Sequence, residues 1–179
     1  MNLLALCGTN AAYLDSLQYF IKDTHSCFGR MLLKTVKQAG WLNTEFHAHF
    51  REVLLHAGAR YQLGCPTYVL MPDHIHLIWI GAHAESDQLL ANRFLRKHLS
   101  LPLQKQAYDH VLREEERTHD RFTDTCHYIR DNPVRAGLVE KSSDWHYQGA
   151  MVSGYPSIDE TTQAGFWKCF HAYQESLER

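Results

Sequence analysis

An α+β domain built on an antiparallel sheet is the fold class that the sequence predicts, and three stretches carry that prediction. Residues 44–57 place Phe46, Phe50, Val53, Leu54 and Ala57 on one stripe at helical spacing. Two β-rich runs, Thr67-Tyr68-Val69-Leu70-Met71 and His74-Ile75-His76-Leu77-Ile78-Trp79-Ile80, flank Pro72-Asp73 and read as a hairpin. Residues 163–177 read as a closing helix. Strands interspersed with helices and joined by a hairpin favour an antiparallel sheet with helices packed on it.

The elements follow in order. In the first 25 residues Tyr13 to Phe20 lacks a clean period, and Ser16-Leu17-Gln18-Tyr19-Phe20-Ile21 is a candidate first strand. It falls within an N-terminal segment, residues 1–40, that lacks an aromatic-rich opening strand. Residues 30–39 have a helical composition, and Gly40 suits a C-terminal stop. Asn43 or Thr44 caps the next helix, and Gly58 is expected to end it. Beyond the hairpin, Ser86 is placed to cap a helix running through Leu89, Leu90, Phe94 and Leu95 to about His98, before Pro102. Residues 103–112 suit a strand, and residues 114–131 suit a helix, acidic at its start and closed by Asn132-Pro133.

A length of 179 residues suits one domain, residues 1–179, with a real core. The net charge is −2 with histidines neutral, so any nucleic-acid contact has to come from a local basic patch. Five cysteines, Cys7, Cys27, Cys65, Cys126 and Cys169, are scattered and never in CxxC spacing. That argues against a disulfide framework and a cysteine zinc site, and for a reducing cytoplasm. The opening Met1-Asn2-Leu3-Leu4-Ala5-Leu6 has no basic residue and too short an apolar run for a signal peptide. No stretch approaches a membrane span, so a cytoplasmic protein is expected.

Thirteen histidines make the His-x-His spacing cheap, and it occurs twice, at His47-Ala48-His49 and His74-Ile75-His76. Geometry separates the two. Residues i and i+2 of a strand point to one face and can converge on one ion, whereas on a helix they diverge by about 200°. His47 and His49 fall in the Phe46/Phe50/Val53 helix and read as surface or boundary residues. His74 and His76 fall in the β-rich run, where they are either metal ligands or half-buried sheet histidines bonded to the backbone.

A second focus is Cys126-His127-Tyr128-Ile129-Arg130-Asp131-Asn132-Pro133-Val134-Arg135-Ala136-Gly137-Leu138-Val139. In a helix through Asn132, Tyr128 and Asn132 are i and i+4 and share a face. A tyrosine hydroxyl can attack a phosphodiester whose oxygens a metal polarises, and an amide oxygen one turn later suits a hard ion such as Mg²⁺ or Mn²⁺. The ordinary alternatives are an amphipathic boundary tyrosine and an Asn-Pro helix stop.

With both motifs in view, the sequence resembles the HUH single-tyrosine transposases, and most of all the REP-associated tyrosine transposases. Tyr68-Val69-Leu70-Met71-Pro72-Asp73-His74-Ile75-His76-Leu77 is similar to the family's histidine-hydrophobic-histidine strand. The stretch from Tyr128 to Val139 resembles its tyrosine helix and the loop after it. Tyr108-Asp109-His110-Val111-Leu112-Arg113 and Asp144-Trp145 also resemble family segments, in the right order over about residues 43 to 150.

The resemblance implies a ferredoxin-like fold with the histidines on a central strand and the tyrosine on a helix beside it. It implies a metal-dependent endonuclease and strand transferase acting on single-stranded DNA at hairpin-forming palindromes, in the cytoplasm with the nucleoid. Tyr128 would attack phosphorus to give a 5′-phosphotyrosine, with Mg²⁺ or Mn²⁺ held by His74, His76 and Asn132. DNA would run along a groove drawn from Arg93, Arg96, Lys97, Arg113, Arg130 and Arg135, with Tyr108 and His110 near the site. The protein would act as a monomer or homodimer. The competing expectation is a non-cleaving nucleic-acid-binding domain of the same fold.

Overall fold

The computed structural model describes residues 28–34, 40–101, 103, 108–111, 119–155 and 163–179. A two-residue turn at Pro72 and Asp73 joins β2 (Leu63–Met71) to β3 (His74–Gly81), and this hairpin forms the middle of the sheet. β1 (Phe28–Lys34) precedes it, joined to β2 by α1 (Thr44–Tyr61). After β3 come α2 (Gln88–His98) and β4 (Tyr108–Val111). The chain continues through α3 (His119–Arg130), the short α4 (Asn132–Arg135), β5 (Gln148–Met151) and α5 (Gln163–Leu177).

The strand order is β4-β1-β3-β2-β5, and every neighbouring pair is antiparallel. The first four strands with α1 and α2 make the βαββαβ, ferredoxin-like arrangement. β5 extends the sheet beyond β2.

Helices cover both faces of the hairpin. On one face, Phe50, Val53, Leu54 and Ala57 of α1 and Ala91 and Leu95 of α2 pack against Ile75, Leu77 and Trp79 of β3. On the other, Phe122, Cys126 and Ile129 of α3 and Phe166, Trp167 and Phe170 of α5 pack against Ile78 and Ile80. A strand covered on both sides has no polar face to alternate with, which is why Leu77-Ile78-Trp79-Ile80 is an unbroken apolar run.

Several elements depart from the sequence expectations. Residues 30–34, expected in a helix, belong to β1, which pairs with β3 from Phe28↔Ile80 to Lys34↔His74 and with β4 on its other side. Met, Leu and Lys favour a helix locally, and two ladders of hydrogen bonds override that preference. Helix α1 does not stop at Gly58. It runs to Tyr61 and ends at Gln62 in the left-handed region, φ 54, whose N–H bonds the Gly58 carbonyl. Gly58 serves close approach instead: a Cβ there would lie 2.8 Å from the Leu63 carbonyl oxygen as the chain returns.

The cap of α2 is Asp87, whose Oδ1 accepts the Leu90 N–H at 2.9 Å. Ser86 instead donates to the Gln62 carbonyl at 2.6 Å and accepts from the His83 N–H at 3.0 Å. The expected strand over residues 103–112 is described as β4 alone, and the expected helix over residues 114–131 as α3 from His119. The candidate strand at residues 16–21 and residues 35–39 lie outside the described residues. Asn43 as cap of α1, with Oδ1 accepting the Phe46 N–H at 2.8 Å, and α5 over Gln163–Leu177 match the sequence reading.

Candidate active site

Strand alternation puts His74 and His76 on the same side of β3 as Ile78 and Ile80, toward α3 and α5. The β1–β3 register runs unbroken from His74 to Ile80, and the bulge in the β2–β3 ladder lies on β2, between Gly64 and Thr67. Nothing therefore disturbs the period that pairs the two imidazoles. Their ring centroids are 4.6 Å apart at 90°, and both side chains are half-buried.

Asp73, in the hairpin turn, lies with Oδ1 2.6 Å from His74 Nδ1. With neutral His74, Nδ1–H donates to this carboxylate, which fixes the tautomer and leaves Nε2 with its lone pair free to ligate. The aspartate is 79% exposed and His74 only 19%, so the carboxylate orients the ring from the solvent side. The pair and its orienting carboxylate fit a divalent ion. Among the described residues no third His, Cys, Asp or Glu is grouped with them to complete a metal cluster.

Tyr128 sits two residues before the end of α3. The buried stripe of that helix is Phe122, Cys126 and Ile129, which leaves Tyr128 off the core, 46% exposed. Its ring is covered by Arg135, whose guanidinium carbon stands 4.1 Å from the ring centroid. Asn132 does not continue α3 but opens α4, and its side chain explains the junction. Pro133 has no N–H to return to Ile129, and Asn132 Nδ2 donates to the Ile129 carbonyl at 3.0 Å and to the Tyr128 carbonyl at 3.2 Å. The amide nitrogen being so used, Oδ1 is the atom Asn132 offers a ligand.

The segment then closes on a Schellman turn. Gly137, at φ 69, bonds the Val134 carbonyl and Leu138 bonds the Pro133 carbonyl, each at 2.9 Å. Across the helix break, Asn132 stays tied to Tyr128 through its Nδ2–H bond to the Tyr128 carbonyl.

The sheet divides the expected basic groove. Arg130 and Arg135 lie at the Tyr128 end of α3 and on α4, on the histidine side. Arg93, Arg96 and Lys97 lie on α2, which packs on the opposite face. The structure does not gather these two sets into one groove, because the sheet runs between them. Arg113 is outside the described residues. Tyr108 and His110 belong to β4, where Tyr108 pairs with Leu32, itself the partner of His76, so β4 lies two strands from the histidines.

The other histidine pair is placed as its helical spacing requires. His49 is exposed, with Nε2 3.0 Å from the His98 carbonyl. His47 is half-buried, its Nε2 2.9 Å from the hydroxyl of the buried Tyr68, which also accepts from Arg51 at 3.2 Å. Burial first, and then the nearby Arg51 charge, push the His47 pKa down to about 4, so the neutral ring accepts from Tyr68. The Cys65 and Cys126 thiols are buried and pushed up by desolvation, Cys126 to about 12, which makes them packing residues rather than nucleophiles.

Three residues outside the expected site set enter the neighbourhood. Asp73 acts on His74. Trp145 Nε1 donates to the Leu70 carbonyl at 3.0 Å, and Tyr147 accepts the Leu70 N–H at 2.8 Å through its backbone, tying the segment after α4 to the edge of β2. The signal for Asp73 is its place immediately before His74, in a two-residue turn.

No protein-family model matches the sequence, and no curated protein does. Among solved structures, the fold is similar to that of the REP-associated tyrosine transposase bound to a REP hairpin, at TM-score 0.59 and 20% identity over 68% of this chain and 75% of that one. The likeness establishes an α+β antiparallel-sheet fold shared with that transposase.

Proposed function

We propose that this chain is a metal-dependent, single-tyrosine enzyme that cleaves and rejoins single-stranded DNA at hairpin-forming palindromes. The observation that carries the reading is the shared side of the sheet. Two imidazoles converge on β3, and the helix packed on that side ends in an exposed tyrosine under an arginine. That this occurs in the fold of a transposase bound to a DNA hairpin supports DNA as the substrate.

In this reading Tyr128 Oη attacks phosphorus, the P–O3′ bond breaks, and the departing 3′ oxygen leaves as a hydroxyl. A 5′-phosphotyrosine holds the other end, and attack by a 3′-hydroxyl reverses the step without an external energy source. His74 and His76 through their imidazole nitrogens and Asn132 through Oδ1 would hold Mn²⁺ or Mg²⁺, which supplies charge neutralisation at the phosphoryl oxygens. Two nitrogens and one amide oxygen suit Mn²⁺ better than Mg²⁺, which prefers all-oxygen shells. Asp73 holds the His74 tautomer, and Arg135 holds the tyrosine ring and offers its remaining donors to phosphate.

The test is incubation with end-labelled hairpin DNA and Mn²⁺, read on a denaturing gel against Tyr128→Phe and His74→Ala. A protein–DNA adduct absent from both variants is the expected result. Cleavage that survives Tyr128→Phe without an adduct would replace the reading with water-mediated hydrolysis, and hairpin binding without cleavage would replace it with a non-cleaving domain.

A further inference from the structure

On the sheet face away from Tyr128, the C-terminal end of α1 and one side of α2 from Leu90 to His98 line an open cavity of about 240 Å³. Its wall carries Arg60, Arg93, Lys97 and His98 with the rings of Tyr61 and Phe94, and Leu90 adds an apolar patch. No carboxylate lines it, in a chain where Asp and Glu outnumber Lys and Arg by 20 to 18. The aromatic members form one cluster. Tyr61 and Phe94 meet edge to face at 6.2 Å, Phe94 and His98 lie 4.2 Å apart at 35°, and Arg60 stands 5.8 Å over Tyr61.

Helix ends attract basic residues, and the macrodipole accounts for Arg60, Lys97 and His98 taken singly. It does not account for Arg93, which lies a turn earlier, or for aromatic rings gathered with these cations in one cavity. A volume below the roughly 300–1,000 Å³ of pockets that engulf a whole small ligand points to one unit of a longer molecule. Fixed cations around flat rings are the chemistry that receives a phosphate and its base together.

We propose that this cavity is a second nucleic-acid contact, which takes one unpaired nucleotide of a single strand, its base against the Tyr61–Phe94–His98 cluster and its phosphates between Arg93 and Lys97. The choice of DNA as the strand rests on the function proposed above. The location does not, because the sheet separates this cavity from the tyrosine. A substrate occupying both would pass around the edge of the sheet, so the cavity adds affinity without touching the reacting phosphate.

The experiment uses the Tyr128→Phe protein in chelator, where no cleavage occurs, and a fluorescent oligo(dT) followed by anisotropy. Arg93→Gln with Lys97→Gln changes exposed side chains and leaves the core alone. The pair is expected to reduce the slope of log affinity against log salt by about one to two. His98→Ala and Phe94→Leu, the latter keeping an apolar side chain where Phe94 packs on the core, are each expected to weaken binding about five- to tenfold. Unchanged affinity and salt slope in all these variants would overturn the proposal. Competition by dTMP as strong as by the oligonucleotide would overturn the strand as occupant, in favour of a free nucleotide.

In otherwise wild-type protein, the Arg93/Lys97 double variant should still form the adduct at saturating hairpin. Adduct lost even at saturation would place these residues in the reaction and overturn a separate contact. Pocket-dependent binding by a protein that forms no adduct would uphold this site while removing the tyrosine chemistry.

Discussion

The Arg135 guanidinium carbon lies 4.1 Å from the centre of the Tyr128 ring, and the two residues are joined through the Asn132–Pro133 helix break. Without that break, residues seven apart in a straight helix would sit two turns from each other. The break and the short α4 bring a cation over the one large aromatic ring on α3 that the core leaves exposed. A cation–ring contact at an exposed site is worth about 0.5–1 kcal/mol. Arg135→Gln is therefore expected to slow adduct formation about two- to fivefold with the Mn²⁺ affinity unchanged. Single-turnover gels and a metal titration measure the two quantities separately, and equal losses in both would place Arg135 at the metal instead.

The Asp73–His74 contact gives a sharper expectation for metal binding. Removing an orienting carboxylate behind a ligating histidine weakens metal about 10- to 100-fold. Asp73→Asn should show that loss in a Mn²⁺ titration followed by electron paramagnetic resonance, while His74→Ala with His76→Ala abolishes binding. Undiminished affinity in Asp73→Asn would mean that the turn carboxylate serves the hairpin alone.

Asn132 combines two roles that substitution can separate. Asn132→Ala removes both amide hydrogen bonds to the Tyr128 and Ile129 carbonyls, at a cost of about 1–2 kcal/mol in unfolding free energy. Asn132→Asp keeps an oxygen for a metal but turns a carboxylate toward those carbonyls. The expected outcome is Mn²⁺ affinity at or above wild type in Asn132→Asp, with stability lowered as in Asn132→Ala. Denaturant unfolding paired with the metal titration decides it, and loss of metal in Asn132→Asp would count against the ligand role.

His47 makes the fold sensitive to acid. Folded, the ring stays neutral down to about pH 4, held there by burial and by Arg51. The unfolded ring takes up its proton near its ordinary value of 6.5. Between those values the unfolded state binds more protons, so stability is complete above about pH 6.5 and declines as pH falls toward 4. The ring is about half-exposed, so solvent screening cuts the contribution to roughly 1 kcal/mol. His47→Gln should flatten that part of the stability–pH curve, measured by urea unfolding from pH 4 to 7, because the amide oxygen still accepts from Tyr68 without titrating.

The central hairpin was legible because its signals are local. Pro72-Asp73 marks a turn, and the alternation His74, His76 against Ile75, Leu77 assigns faces within one strand. Helix α1 was legible for the same reason, through Asn43 and the Phe50/Leu54/Ala57 stripe. β1 was not, since Met31, Leu32 and Leu33 are good helix formers, and their strand state comes from partners about 45 and 80 residues away. β5 is four residues long with Gly149 and Ala150 in it, too short and too small-sided for a period. The separation of Arg93, Arg96 and Lys97 from Arg130 and Arg135 depends only on which face each helix covers, and no linear pattern encodes that. The i+4 spacing of Asn132 from Tyr128 is readable in the sequence, but its bonds to the Tyr128 and Ile129 carbonyls emerge only from the helix break.

The Pro72–Asp73 turn has a consequence for what the hairpin can tolerate. Side chains along a strand repeat every two residues, so adding or deleting one residue in the turn while β2 holds its place would invert β3. His74 and His76 would then be driven into the packing of α1 and α2, and Ile75 and Leu77 would stand where the imidazoles were. The turn is thus a frame setter whose length is constrained more tightly than its composition. Point changes there test chemistry, whereas insertions exchange the chemical face of the strand for the structural one.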